Sequence, residues 1–149
     1  GTTTIPANFW VAGKTVRVSV EGVYSTDAAV NTYLTFKLSM GGVQIGTTTT
    51  FYPPLNATGT ATSFHLSATI TCRSVSAPNG TFQVTGKAIL ATAVGTSPLV
   101  FFFGDAGAWN PTVTWDFSTE KALDVLADWS VQDTDNKIVG QTCTIEALN

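Results

Sequence analysis

Phe64-His65-Leu66-Ser67-Ala68-Thr69-Ile70-Thr71-Cys72-Arg73 is the longest clean alternation in the chain. Phe64, Leu66, Ala68, Ile70 and Cys72 share one parity. His65, Ser67, Thr69, Thr71 and Arg73 share the other. A period of two is the signature of a strand with one apolar and one wet face. Pro78-Asn79-Gly80 is a turn signal, and Phe82, Val84, Ala88 and Leu90 return from it. This stretch predicts a β-hairpin lying on a core.

The same pattern recurs on both sides. Val16, Val18 and Val20 alternate with Arg17, Ser19 and Glu21. Leu34, Phe36, Leu38 and Met40 alternate with Thr35, Lys37 and Ser39, and Gly41-Gly42 is a tight-turn signal before Val43 and Ile45. The run from Thr47 to Phe51 extends that return strand, and Pro53-Pro54 ends it. Val113, Trp115 and Phe117 alternate again. Leu123, Val125, Ala127 and Trp129 alternate with Asp124, Leu126, Asp128 and Ser130. Val139, Cys143, Ile145 and Ala147 suggest a last strand, joined to the preceding one as a hairpin through Asp133-Thr134-Asp135-Asn136-Lys137. That ending is expected inside a packed sheet. No stretch carries a capped stripe of period 3.6. Eight to nine strands with Gly, Pro and Asn turns predict an all-β fold, an antiparallel two-sheet sandwich of jelly-roll type. The absence of an internal repeat disfavours propellers and solenoids.

Leu99-Val100-Phe101-Phe102-Phe103 does not alternate in hydropathy, which predicts cover on both faces. Either it is a central strand under a long loop, or another subunit supplies the second cover, with Val100 and Phe102 at the contact.

A chain of 149 residues is one domain by length, with 1–149 read as a single unit. Charged residues are only 11% of it, against roughly 25% in ordinary domains. Threonine outnumbers all charged residues together, so the wet faces are built from hydroxyls. Such a surface resists association poorly and points to permanent partners or a rigid exposed module. The net charge is −3 with no basic run, which argues against nucleic acid. No apolar stretch reaches the roughly 20 residues of a membrane helix, so no membrane insertion is expected. Gly1 opens no leader pattern, and a trimmed start would explain that. Two cysteines, Cys72 and Cys143, are too few for a metal cluster or disulfide scaffold. Both fall on inferred inward faces, as free thiols or as a cross-strand pair, with free thiols favoured.

His65 is the only histidine, opposite the core face and beside Ser67, and no Gly-x-Ser-x-Gly elbow exists. A surface or interface histidine is the expectation, not a catalytic one. Asp124 and Asp128 would stand roughly 13 Å apart on one strand, too far for a glycosidase pair. The Asp133 to Asn136 loop offers oxygen ligands, but it lacks the glycine and terminal glutamate of an EF-hand; a solvated tip is expected and no metal is assigned. Asn56-Ala57-Thr58 and Asn79-Gly80-Thr81 fit a glycosylation pattern that a threonine-rich chain produces by coincidence. Trp115 alternates into the core. Tyr52 and Trp109 flank prolines in loops, near Asp105, Asn56 and Asn110. Loop aromatics with such groups form a sugar-stacking set, and the ligand site, if there is one, is expected at Tyr52, Trp109, Asp105 and Asn110. The other reading is that these rings clamp loops or bury at a subunit contact. No cofactor is expected.

Three segments together carry a resemblance. Ile5-Pro6-Ala7-Asn8 precedes Ala12-Gly13-Lys14-Thr15-Val16-Arg17 and Gly22-Val23-Tyr24-Ser25-Thr26. Ile70-Thr71-Cys72-Arg73-Ser74 precedes Asn79-Gly80-Thr81. Leu123-Asp124-Val125 with Ala127-Asp128-Trp129 precedes the last strand. Their order over almost the whole chain resembles structural proteins of tailed bacteriophages, of tail, fibre and other virion kinds. The resemblance implies a jelly-roll-like β module exposed on a virion as a homotrimer, beside other virion proteins and in contact with a host glycan in the receptor-binding case. It implies no enzyme, and it carries over strand and turn positions only. A stand-alone carbohydrate-binding module is the alternative; a hydrolase lacks a second histidine and a nucleophile motif.

Overall fold

The computed structural model describes residues 2–26, 32–53, 61–76, 79–92, 97–104, 112–114 and 116–149. Among these, ten strands and no helix form. They are β1 (Thr2–Ile5), β2 (Thr15–Ser25), β3 (Leu34–Met40), β4 (Val43–Thr47) and β5 (Thr62–Ser74). β6 (Asn79–Leu90), β7 (Leu99–Phe103), β8 (Thr112–Thr114), β9 (Lys121–Trp129) and β10 (Lys137–Ala147) follow. A four-stranded sheet runs β1-β9-β3-β4. A six-stranded sheet runs β10-β2-β5-β6-β7, with β8 also paired to β6. Every pairing is antiparallel.

The alternating residues explain why the sheets close on each other. Val16, Val18 and Val20 of β2 and Leu66, Ala68, Ile70 and Cys72 of β5 are buried, as are Leu34, Phe36, Leu38 and Met40 of β3. Phe36 from one sheet stacks on Phe64 from the other, with ring centroids 5.5 Å apart. Trp10 sets its ring edge-on to Phe82 at 5.0 Å and donates its indole N–H to Met40 Sδ at 3.2 Å. Each large side chain buried this way contributes about 1.5–3 kcal/mol. The chain passes from one sheet to the other between β1 and β2, β2 and β3, β4 and β5, β8 and β9, and β9 and β10. Those crossings join the two antiparallel sheets into one sandwich. β5, β6 and β7 instead form an uninterrupted meander.

Gly41 and Gly42 take φ of 56° and 79°, which a primed two-residue hairpin between β3 and β4 requires. Gly22 answers a different need. A Cβ there would lie 2.0 Å from the Val139 carbonyl oxygen and 2.8 Å from Phe64, so only glycine lets β10 lie against β2 at that point.

Several expectations are corrected. The last two strands do not form a hairpin: β9 pairs with β1 and β3, and β10 crosses to pair with β2. β10 is an edge strand and mostly exposed, not inside a packed sheet. Cys143 lies opposite buried Val20 and shares its side, yet it is exposed because the smaller sheet does not cover β10. Both cysteines are free, and β2 separates their strands. Val139 does not share the side of Cys143, because a register shift between Gly140 and Thr142 inserts one residue and reverses the parity. β7 is an edge strand, not a central one. β1 was not anticipated. Phe117 lies in the turn after β8, not in a strand, where it packs partly buried toward Phe82. Trp115 lies outside the described residues.

Candidate functional site

Two surfaces combine exposed aromatic or apolar groups with polar ones. The first is at the end of the sandwich where β3 begins. Leu34 N–H donates to the Phe51 carbonyl at 2.9 Å, and Phe51 N–H donates back at 3.1 Å. This two-way bond buries Leu34 and Phe51 and turns their neighbours Tyr33 and Tyr52 outward. The tyrosine rings meet with centroids 4.0 Å apart and planes tilted by 40°, and their hydroxyls are hydrogen-bonded. Tyr52 is 54% exposed and Tyr33 38%.

Ser130, just past β9, holds Tyr33 from the other side. Its Oγ accepts from Tyr33 N–H at 2.8 Å, and its N–H donates to the Tyr33 carbonyl at 3.0 Å. Beyond Ser130 the chain forms a cleft of about 320 Å³ lined by Trp129, Val131, Gln132, Asp133, Thr134 and Asn136. The loop is held by its own bonds. Asp133 Oδ1 accepts from Asp135 N–H at 2.8 Å, the Asn136 side-chain amide donates to the Val131 carbonyl at 3.2 Å, and Ser25 Oγ–H donates to the Asp135 carbonyl at 2.8 Å. Among the described residues no group of three or more His, Cys, Asp or Glu could hold a metal ion.

The second surface is the outer face of the six-stranded sheet. Along β7, Leu99, Phe101 and Phe103 turn inward, with Phe101 stacked on Phe51 at 3.8 Å. Val100 and Phe102 turn outward, 43% and 62% exposed. They stand opposite Ile89 and Lys87 of β6. Ser67, Thr69 and Thr85 continue the face beside Phe102, around a shallow groove. A second groove of about 370 Å³ includes Glu21, Val23, Ser63, His65 and Ile89. His65 Nδ1 sits 3.3 Å from Glu21 Oε1, a cross-strand pair in register on β5 and β2. The histidine thus occupies the outer face, where the alternation puts it, beside a carboxylate partner.

Of the expected ligand residues, Tyr52 is exposed at the first surface. Trp109, Asp105, Asn110 and Asn56 lie outside the described residues. Asn79 opens β6. Asp128 is bound to Lys37 Nζ at 2.6 Å. Tyr33, Trp129 and Gln132 were not singled out by sequence reasoning as parts of a site. The signal for Tyr33 was present: it precedes inward Leu34, so its parity turns it outward.

No protein-family model matches the chain, and no curated protein matches it. Among solved structures, the CBM2 module of the evolved Dit of Lactobacillus casei phage J-1 is similar at 13% identity and a TM-score of 0.27. The match covers 86% of this chain and 66% of that one, just under two thirds. A likeness at that level decides neither topology nor activity.

Proposed function

We propose that the chain is a non-enzymatic surface module of a tailed-phage virion, of the tail fibre, spike or head-decoration kind. It works as a homotrimer against other virion proteins, with one end free to meet a host glycan. The observation that carries this reading is the outward row Val100 and Phe102 on an edge strand, in a chain whose surface is poor in charge. An exposed phenylalanine and valine beside Ile89 form an apolar patch that a partner subunit would cover. A cyclic arrangement lets one patch meet a different one and still close. The virion assignment rests on the three resembling segments. Their residues hold frame positions: Gly22 admits β10, Tyr24 is buried, and Leu123 is buried beside Met40 of β3.

The test is mass spectrometry of density-banded particles of the phage that encodes the chain. The chain should be present in copy numbers divisible by three relative to the major capsid protein. Its absence from washed particles would remove the virion reading.

A second reading is a stand-alone carbohydrate-binding module, favoured by the exposed Tyr33 and Tyr52 pair. A monomer that binds sugar would support it over the first.

A further inference from the structure

We infer that the seam between β9 and β10 is a docking groove for an extended segment of a partner protein, which adds as a strand to the edge of β9 beyond the end of β1. The segment alternates apolar residues with basic or hydroxyl ones. This surface is not the Phe102 patch, and the inference rests on neither the trimer nor the glycan.

The backbone is the first argument. β1 pairs with β9 only from Lys121 to Asp124, whereas β9 runs on to Trp129. The Ala122 carbonyl accepts from Gly41 N–H at 2.8 Å, and Ser130 N–H donates to the Tyr33 carbonyl at 3.0 Å, so the even-numbered residues bond toward β3. Successive residues of a strand turn their N–H and C=O groups to opposite edges. Those of Val125, Ala127 and Trp129 therefore turn away from β3. Among the described residues, no strand pairs with that edge past Asp124. A segment in line with β1 would find there the hydrogen bonds that Thr3 and Ile5 find at Leu123 and Lys121.

Packing is the second argument. Val125, Ala127 and Trp129 also carry inward side chains, opposite buried Leu38, Phe36 and Leu34, yet all three are only partly buried. Val125 and Ala127 line a cleft of about 240 Å³ against Val20, Phe64, Ile138 and Gly140 of the larger sheet. Trp129 lines the next cleft along, of about 320 Å³, with Val131. Across the seam, Cys143 is exposed although it shares the side of buried Val20. The smaller sheet is thus one strand short beside β9. A strand added there sends alternate side chains into the two clefts, while its main chain bonds to the edge. Charge selects the residues between. Asp124 and Asp128 of β9 and Asp133 and Asp135 of the next loop outnumber Lys37 and Lys137. A segment with lysine at its outward positions is drawn to this seam, and an acidic one is repelled.

The experiment titrates the intact protein, labelled with nitrogen-15, with three short synthetic peptides that alternate lysine or threonine with valine, leucine or phenylalanine. A matching peptide with a central proline and one with aspartate for lysine serve as controls. At least one of the three should bind with a dissociation constant on the order of 100 μM. Resonance shifts should concentrate at residues 125–129 and 138–143, and amide exchange at Ala127 and Trp129 should slow about tenfold at saturation. Ala127→Pro removes an N–H on the edge that no strand of the fold pairs with, and Ala127→Leu fills the cleft. Each variant, checked for folding by its thermal melt, should weaken binding about tenfold. Phe102→Asp should leave the constant unchanged, which separates this groove from the subunit contact. Absence of binding by all three peptides would overturn the inference, as would equal binding of the proline control, preference for the aspartate peptide, or shifts outside the seam. A trimer that binds no peptide leaves the assembly proposal standing; a peptide-binding monomer leaves this groove standing without it.

Discussion

Tyr24 is buried on the inner face of β2, and its hydroxyl donates to the Ala91 carbonyl at 2.7 Å. Burial disfavours the phenolate and pushes the pKa from 10.0 to about 12. A pKa raised by folding means the neutral form is favoured in the native state. The stability this contributes is complete below pH 10 and is lost as pH rises through about 12. Tyr24→Phe keeps the ring and removes the donor, so it should cost about 1 kcal/mol at neutral pH. It should also lose the part of the alkaline destabilisation that Tyr24 causes. Urea midpoints of both proteins from pH 7 to 12 check this; an identical alkaline limb in the variant would contradict it. The other shifted groups have equally local causes. Burial raises the Cys72 thiol, and hydrogen bonds from Ser118 hold the Asp116 carboxyl below the usual range.

At the scale of elements, β2 and β10 meet through Gly22, where a side chain would collide with the Val139 carbonyl. Gly22→Ala is therefore expected to destabilise by about 1–3 kcal/mol, as overpacking does. The loss should be uneven. Hydrogen exchange should quicken in β10 from Lys137 to Gln141 before it does in β5 and β6, and unchanged protection in β10 would contradict the close approach. Parity was enough to find most of these elements. It placed Phe64 to Cys72 inward and His65 outward, and it put Cys143 and Ile145 on the side of Val20 and Val18. Parity cannot count the strands of the opposing sheet, so it could not show that β10 overhangs it. Nor could it foresee the inserted residue that turns Val139 outward. The terminal hairpin failed for a related reason: a short polar loop serves equally to turn within a sheet or to cross between sheets. Half of the tyrosine pair was legible in the same way. Tyr52 announced itself beside Pro53, whereas Tyr33 joins it only through the Leu34–Phe51 pairing, a contact between separate parts of the chain.

For the whole molecule, both sheets carry charged and apolar groups on their outer faces, with His65–Glu21 on the larger and exposed Leu126 beside Lys37 on the smaller. The smaller sheet shows charged and hydroxyl groups such as Lys37, Asp128 and Thr35. The larger sheet ends in an edge strand with Phe102 turned to solvent, in a chain with seven basic and ten acidic residues to keep it apart from its neighbours. An apolar patch of this kind invites association unless something covers it. The most direct test is light scattering behind a sizing column on the parent protein and Phe102→Asp at micromolar concentration. The parent should run at about three times 15.7 kDa and the variant, still folded, at about 15.7 kDa. A monomeric parent, or a variant that remains trimeric, would contradict assembly through this face.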